Sequence, residues 1–183
     1  MTPVVAIVGL YRIVGSLVVL RWPFWGALIA IGVDLTDLLL LDLLVPAGLG
    51  PWPDYQAFDK WADQVYLLAF LIVALRDFRP LEKRIAVALY LFRLLGFIAF
   101  EFGAPRELLL FFPNLFEFWF LAVVTAAHFR PAFAWTPRRA ATVLLVLLGA
   151  KLVQEWALHV ARLFDSFTFL DALDWIRRLV VGG

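Results

Sequence analysis

Asp34 and Asp37, then Asp59 and Asp63, stand in stretches of chain that are otherwise almost wholly apolar. Asp42, Glu101, Glu117 and Glu155 fall in or beside similar stretches, and the basic residues that share them are Lys60, Arg93 and Lys151. Carboxylates gathered where water is scarce hold protons, bind cations or pair with bases. Ion pairing among neighbours, which would simply hold helices together, is the plain reading for any one of these groups. It falls short for the whole set, because eight carboxylates outnumber three cations. The surplus needs protons, bound cations or water.

Spacing groups these residues into stripes. Asp34 and Asp37 are three apart and share a helical face. Tyr55, Asp59, Asp63 and Tyr66 run along a second face, and Tyr90, Arg93, Phe97 and Glu101 along a third. Lys151, Glu155 and His159 follow steps of four. Asn114 and Glu117 add a polar pair beside Pro113, a residue that loosens or starts a helix. The candidate polar pocket therefore comprises Asp34, Asp37, Asp59, Asp63, Arg93, Glu101, Asn114, Glu117, Lys151 and Glu155. His128 and His159 fall at opposite ends of their segments, so they do not suggest a shared metal.

The elements that must carry these stripes are set by composition. Of 183 residues, 64% are hydrophobic, and the mean hydropathy is +0.90. A soluble domain is nearer half apolar and could not bury so much of its surface. An all-α, polytopic membrane bundle follows, as a single transmembrane domain over residues 1–183. Its expected partner is the lipid bilayer, in a multi-pass plasma-membrane location. The absence of cysteine excludes disulfides, thiolate nucleophiles and iron–sulfur centres. A net charge of +1 with no long basic run gives no reason to expect nucleic acid as a partner.

A helix needs about 20 apolar residues to cross a hydrocarbon core of roughly 30 Å. The stretches 23–44, 55–75, 81–102, 108–128 and 140–163 qualify, separated by Pro- and Gly-rich punctuation. The stretch 4–20 is shorter and carries Arg12 at its centre. It crosses with Arg12 facing the bundle, or it lies along the interface, and the two-residue link Arg21–Trp22 is tight for a crossing. We take it as a sixth span rather than a cleavable leader, with 167–181 as an amphipathic interfacial helix. Arg21, Arg76, Arg79, Lys83, Arg84, Arg130, Arg138 and Arg139 then fall on one side, which the positive-inside rule makes cytoplasmic. Both termini face outward. The carboxylates lie from mid-depth outward, which predicts a polar pocket open to the outside between the second and sixth spans.

Each charge at a helix centre costs about 2.5–3.5 kcal/mol on the insertion scale, whereas each Leu or Ile returns only about 0.3–0.6 kcal/mol. These side chains must therefore face the bundle interior, and binding or conduction of a proton, cation or small polar solute is the expected function.

Asp34-Leu-Thr-Asp37 followed by Phe58-Asp59-Lys60-Trp61-Ala62-Asp63 also resembles part of the CDP-alcohol phosphatidyltransferase pattern. The resemblance covers about 30 residues. It implies that a divalent metal ion is the cofactor, held by Asp34, Asp37, Asp59 and Asp63, with Asp63 as the catalytic base for the attacking alcohol. The family's Gly after the second Asp is Leu38 here, and its following Ala-Arg is Leu41–Asp42. The family's site also opens to the cytoplasm. A third expectation is a non-catalytic subunit or assembly factor, with a second copy of the chain or another membrane protein as partner.

Overall fold

The computed structural model describes residues 3–44, 55–103, 108 and 111–155, which form helices and their connections with no strand among them. The helices are α1 (Pro3–Leu17), α2 (Pro23–Leu44), α3 (Tyr55–Asp77), α4 (Pro80–Glu101), α5 (Leu115–Phe129) and α6 (Pro137–Glu155). α1 runs on as a 3-10 turn over Val18–Leu20. The loop read at 46–54, the end of the last stretch at 156–163 and the tail helix at 167–181 lie outside the described residues, as do the side chains of Asp42, Asp59, Lys60 and Glu155.

Proline explains several of the starts. α1, α2, α4 and α6 each open on one, whose fixed φ suits the first turn and whose missing N–H would have had no helical partner there. α4 gains a further tie, because the backbone N–H of Arg79 donates to the Glu82 carboxylate at 2.8 Å.

The tight link after α1 is resolved by its backbone. The N–H groups of Arg21 and Trp22 both donate to the Val18 carbonyl at 3.1 Å, closing the 3-10 turn. Gly26 then passes directly over that turn, and a Cβ at this position would lie 2.3 Å from the Val19 backbone. A hydrogen atom fits there and a methyl group does not. α1 consequently folds back along α2: Gly15 meets Val33, and the Tyr11 hydroxyl is 2.8 Å from that of Thr36. α1 and α2 thus form an antiparallel helical hairpin.

α5 departs from the stretch expected at 108–128. It starts at Leu115, because Pro113 has no N–H to give and the Asn114 side chain caps the helix by accepting from the Glu117 N–H at 3.4 Å. Asn114 also reaches Tyr66, midway along α3, so α5 begins level with the middle of that helix. Its 15 residues give a length of only about 22 Å.

α5 is nevertheless the axis of packing. It touches α2, α3, α4 and α6, while α1 packs against α2 and α3. Phe116, Trp119, Phe120, Val123 and Val124 are buried on it. Phe70 of α3 stacks on Phe120 with ring centroids 4.2 Å apart, and the Trp119 indole donates to the Glu82 carbonyl at 3.1 Å. Side chains turned away from this core are apolar too: Leu10 is 63% exposed and Leu35 71%. Among the described residues one helix, Pro3–Leu20, combines crossing length with apolarity, at a mean hydropathy of 2.1, and Leu115–Phe129 is apolar but shorter.

Candidate functional site

Arg12 is the residue around which the aspartates gather. It sits at the middle of α1, and its burial is nearly complete at 2% exposure. Its Nη1 donates to Asp37, and its Nη2 donates to Asp34 and, at 2.7 Å, to Asp63 Oδ1. Carboxylates from two helices therefore meet one guanidinium from a third. The geometry follows from local structure. The three-residue spacing puts Asp34 and Asp37 on one face of α2, and the hairpin at Gly26 sets α1 in the register that brings Arg12 between them. α3 approaches from the other side and contributes Asp63.

Arginine suits this position. It stays charged at any accessible pH, and its five N–H donors serve several acceptors at once. Access is graded across the hub. Asp37 is sealed at 1% exposure, whereas the side chains of Asp34 and Asp63 keep 32% and 23% of theirs. Three carboxylates meet one guanidinium here, and the two outer ones stay partly exposed.

A second polar group lies next to the first. Tyr66 stands one turn beyond Asp63 on α3, and its hydroxyl donates to Glu117 at 3.0 Å. The Asn114 amide donates to the same carboxylate oxygen at 2.8 Å and to the Tyr66 hydroxyl at 3.2 Å. Tyr66, Asn114 and Glu117 thus form a closed ring of hydrogen bonds. Tyr66 also lies within electrostatic reach of Asp34 and Asp63, and Glu117 within reach of Arg93 and Lys151. Hydrogen-bonded polar side chains of α3 and α5 thus stand beside the hub.

The sequence-predicted residues sort as follows. Asp34, Asp37 and Asp63 converge, and Asn114 and Glu117 join through Tyr66. Arg93 donates from Nη1 to the Phe112 carbonyl at 2.9 Å, while its buried Nε has no hydrogen-bond partner among the described residues. Lys151 lies 5.7 Å from the Phe118 ring centre. Asp59 is on α3 one turn before Asp63, and its side chain, like that of Glu155, is outside the description. Glu101 does not join either group: it is exposed at the C-terminal end of α4. Among the described residues, no three His, Cys, Asp or Glu side chains are arranged to hold a metal ion on their own. The point on which Asp34, Asp37 and Asp63 converge is filled by the guanidinium.

The sequence turns Arg12 toward the bundle without assigning it to the pocket, yet it is the hub's centre. The only trace of this in the sequence is a lone arginine inside an apolar run, and nothing local names its partners. A cavity of about 380 Å³ lies where α2 and α4 begin and α3 and α5 finish, lined by Phe24, Phe78, Arg79, Val124, Phe133 and Trp135 among others.

Comparison with protein-family models, with curated proteins and with solved structures finds no match for this chain.

Proposed function

We propose that this chain is a multi-pass membrane protein that binds or conducts a proton, a cation or a small polar solute at the Arg12-centred carboxylate hub. The observation that carries the reading is the meeting of Asp34, Asp37 and Asp63 on Arg12 between α1, α2 and α3, with two of the carboxylates still partly accessible. A soluble fold places charge outside and apolar groups inside. Here Arg12 and Asp37 are among the most buried side chains while Leu10, Val14, Leu35 and Leu95 are exposed, a distribution that suits acyl chains as the surrounding medium. The crossing-length helix Pro3–Leu20 and the concentration of basic residues at one end support the same arrangement, with that end cytoplasmic.

The hub has an internal cation that can trade places with an external one. A proton or cation arriving at Asp34 or Asp63 lowers the number of negative charges Arg12 must balance. Arg12 then concentrates its bonds on Asp37, the sealed member. The Tyr66–Asn114–Glu117 ring extends the polar track past the hub, as proton pathways require. The transferase-like reading shares the convergence of aspartates, but a metal ion would have to displace Arg12 from the point they share.

Reconstitution into liposomes tests the proposal. Under an imposed proton or monovalent-cation gradient, flux is expected with the parent chain and is lost in Asp34→Asn and Asp63→Asn. Arg138→Gln, at the opposite end, retains it. Flat traces across proton, sodium, potassium and magnesium gradients would end the transport reading. Magnesium-dependent release of CMP from a CDP-alcohol, abolished by Asp63→Asn, would establish the transferase reading instead.

A further inference from the structure

We propose that the cavity at the basic end of the bundle receives the phosphate-bearing head of an anionic phospholipid, with Arg79 as the group that meets the phosphate. This site is separate from the Arg12 hub, which meets α2 near its middle, and lies where α2 begins and α3 ends. That the phosphate belongs to a lipid rests on the membrane reading above; recognition of phosphate by Arg79 does not.

The charge inventory of the cavity carries the inference. Three ionised side chains line it: Asp77, Arg79 and Glu82. The two acids are already engaged. Asp77 is gripped by Arg76 through two bonds of 2.7 and 2.8 Å, and Glu82 accepts from the backbone N–H of Arg79 at 2.8 Å. Arg79, by contrast, has no carboxylate partner among the described residues. Its Nη1 and Nη2 rest on the carbonyls of Phe133 and Pro131 at 3.3 and 3.5 Å, which are long contacts for a guanidinium. The cavity thus presents one cation that is neither neutralised nor well bonded, and its forked geometry fits phosphate oxygens in pairs.

The rest of the lining fits an amphiphile. Phe24, Phe78, Val124, Phe133 and Trp135 give an apolar wall beside the charge, and about 380 Å³ accommodates a phosphoglycerol head with the first carbons of its chains. The His128 imidazole is stacked on Phe24 at 4.5 Å between ring centres and makes no hydrogen bond among the described residues, which leaves its ring nitrogens available to a ligand. Around the mouth the balance is strongly positive, since among the described residues Asp77 and Glu82 are the only acids beside the eight basic residues at this end. Anionic lipid is drawn to such a surface, and basic pockets between helices on the cytoplasmic side select anionic headgroups. A zwitterionic head satisfies Arg79 less well because its own cation competes.

The test uses the full chain purified in a neutral detergent. The thermal-unfolding midpoint is followed while dioleoyl phosphatidylglycerol, dioleoyl phosphatidylcholine, glycerol 3-phosphate or inorganic phosphate is added in separate titrations. A ligand that binds the folded state raises the midpoint with concentration. Phosphatidylglycerol is expected to raise it saturably and phosphatidylcholine to leave it near its starting value. Arg79→Gln should weaken the apparent affinity by about tenfold or more, as expected for losing a charge-assisted contact. Arg138→Gln, at the same end but outside the cavity, should leave it unchanged. Ala127→Trp keeps Arg79 and fills the cavity, so it should abolish the response and serves if Arg79→Gln does not fold. Equal responses to the two lipids, or an undiminished response in both cavity variants, overturn the proposal. An equal response to inorganic phosphate overturns the lipid as its source. Partition of the chain into water without detergent would sink the membrane reading alone, leaving an Arg79-dependent response to phosphate still measurable.

Discussion

Replacing Arg12 with methionine removes the hub's cation while keeping most of the side-chain volume. Asp37, which is 1% exposed, then loses its guanidinium partner, and Asp34 and Asp63 lose the bonds that drew them together. Breaking a buried ion pair by deleting one member typically costs about 3–5 kcal/mol. For a chain of this length each kcal/mol moves the melting midpoint by roughly 2–4 °C, so a fall of roughly 6–20 °C is expected. The assay is thermal unfolding in mild detergent, repeated for Asp37→Asn and for the double variant. The two changes disturb one contact, so the double variant should lose less than the sum of the singles, by about 0.5–3 kcal/mol. Arg12→Lys should fall between parent and methionine, because a point charge cannot serve three carboxylates as a fork does. Strict additivity of Arg12→Met and Asp37→Asn, or a midpoint unchanged by Arg12→Met, would refute the account of the hub.

Three further expectations concern the supports around it. Gly26→Ala drives a methyl group into the Val19 backbone and should destabilise by at least the 1–3 kcal/mol or so typical of overpacking, whereas Gly32→Ala, with open space around it, should be neutral or gain up to about 1 kcal/mol; comparative melting of the two variants checks this. Tyr66→Phe leaves the Glu117 carboxylate with one hydrogen bond fewer and should cost about 0.5–1.5 kcal/mol, and it should slow proton flux in liposomes if the ring belongs to the pathway. Outside the bundle core, hydrogen bonding to Arg76 holds the Asp77 carboxyl below the usual aspartate range. A depressed folded-state value means that its contribution to stability is present above the ordinary aspartate range and is lost as the pH falls through the lowered one. Both partners are largely exposed, so Asp77→Asn should change the midpoint slightly at low salt and not at all in 1 M salt.

The legible part of this molecule was what short-range periodicity encodes. Prolines at 23 and 80 mark helix starts, the three-residue step puts Asp34 and Asp37 on one face, and Asn114 with Glu117 foreshadows a group that does meet. What stayed hidden depends on how helices are placed against one another. Arg12 has no neighbour in sequence that announces three carboxylates, because its partners come from α2 and α3 and its register is set by a glycine at a turn. Glu101 shares a helical stripe with Arg93, yet it sits at the end of α4, where it is exposed. The late start of α5 follows from Pro113 and Asn114, but the predominantly apolar composition across 108–128 masks it. The cavity is assembled from the ends of four helices and one loop, and no contiguous pattern encodes it.

The late start of α5 has an electrical consequence. A helix that opens midway along its neighbours carries its free amide donors inward, and the aligned peptide dipoles place roughly half an elementary positive charge at that tip. Glu117 occupies the first turn there, so the backbone adds a partial counter-charge to those of Arg93 and Lys151. Extending α5 by one regular turn would move this virtual cation outward by about 5.4 Å and strand the carboxylate mid-helix, so the shortness of α5 is itself part of how this bundle tolerates acid in its interior.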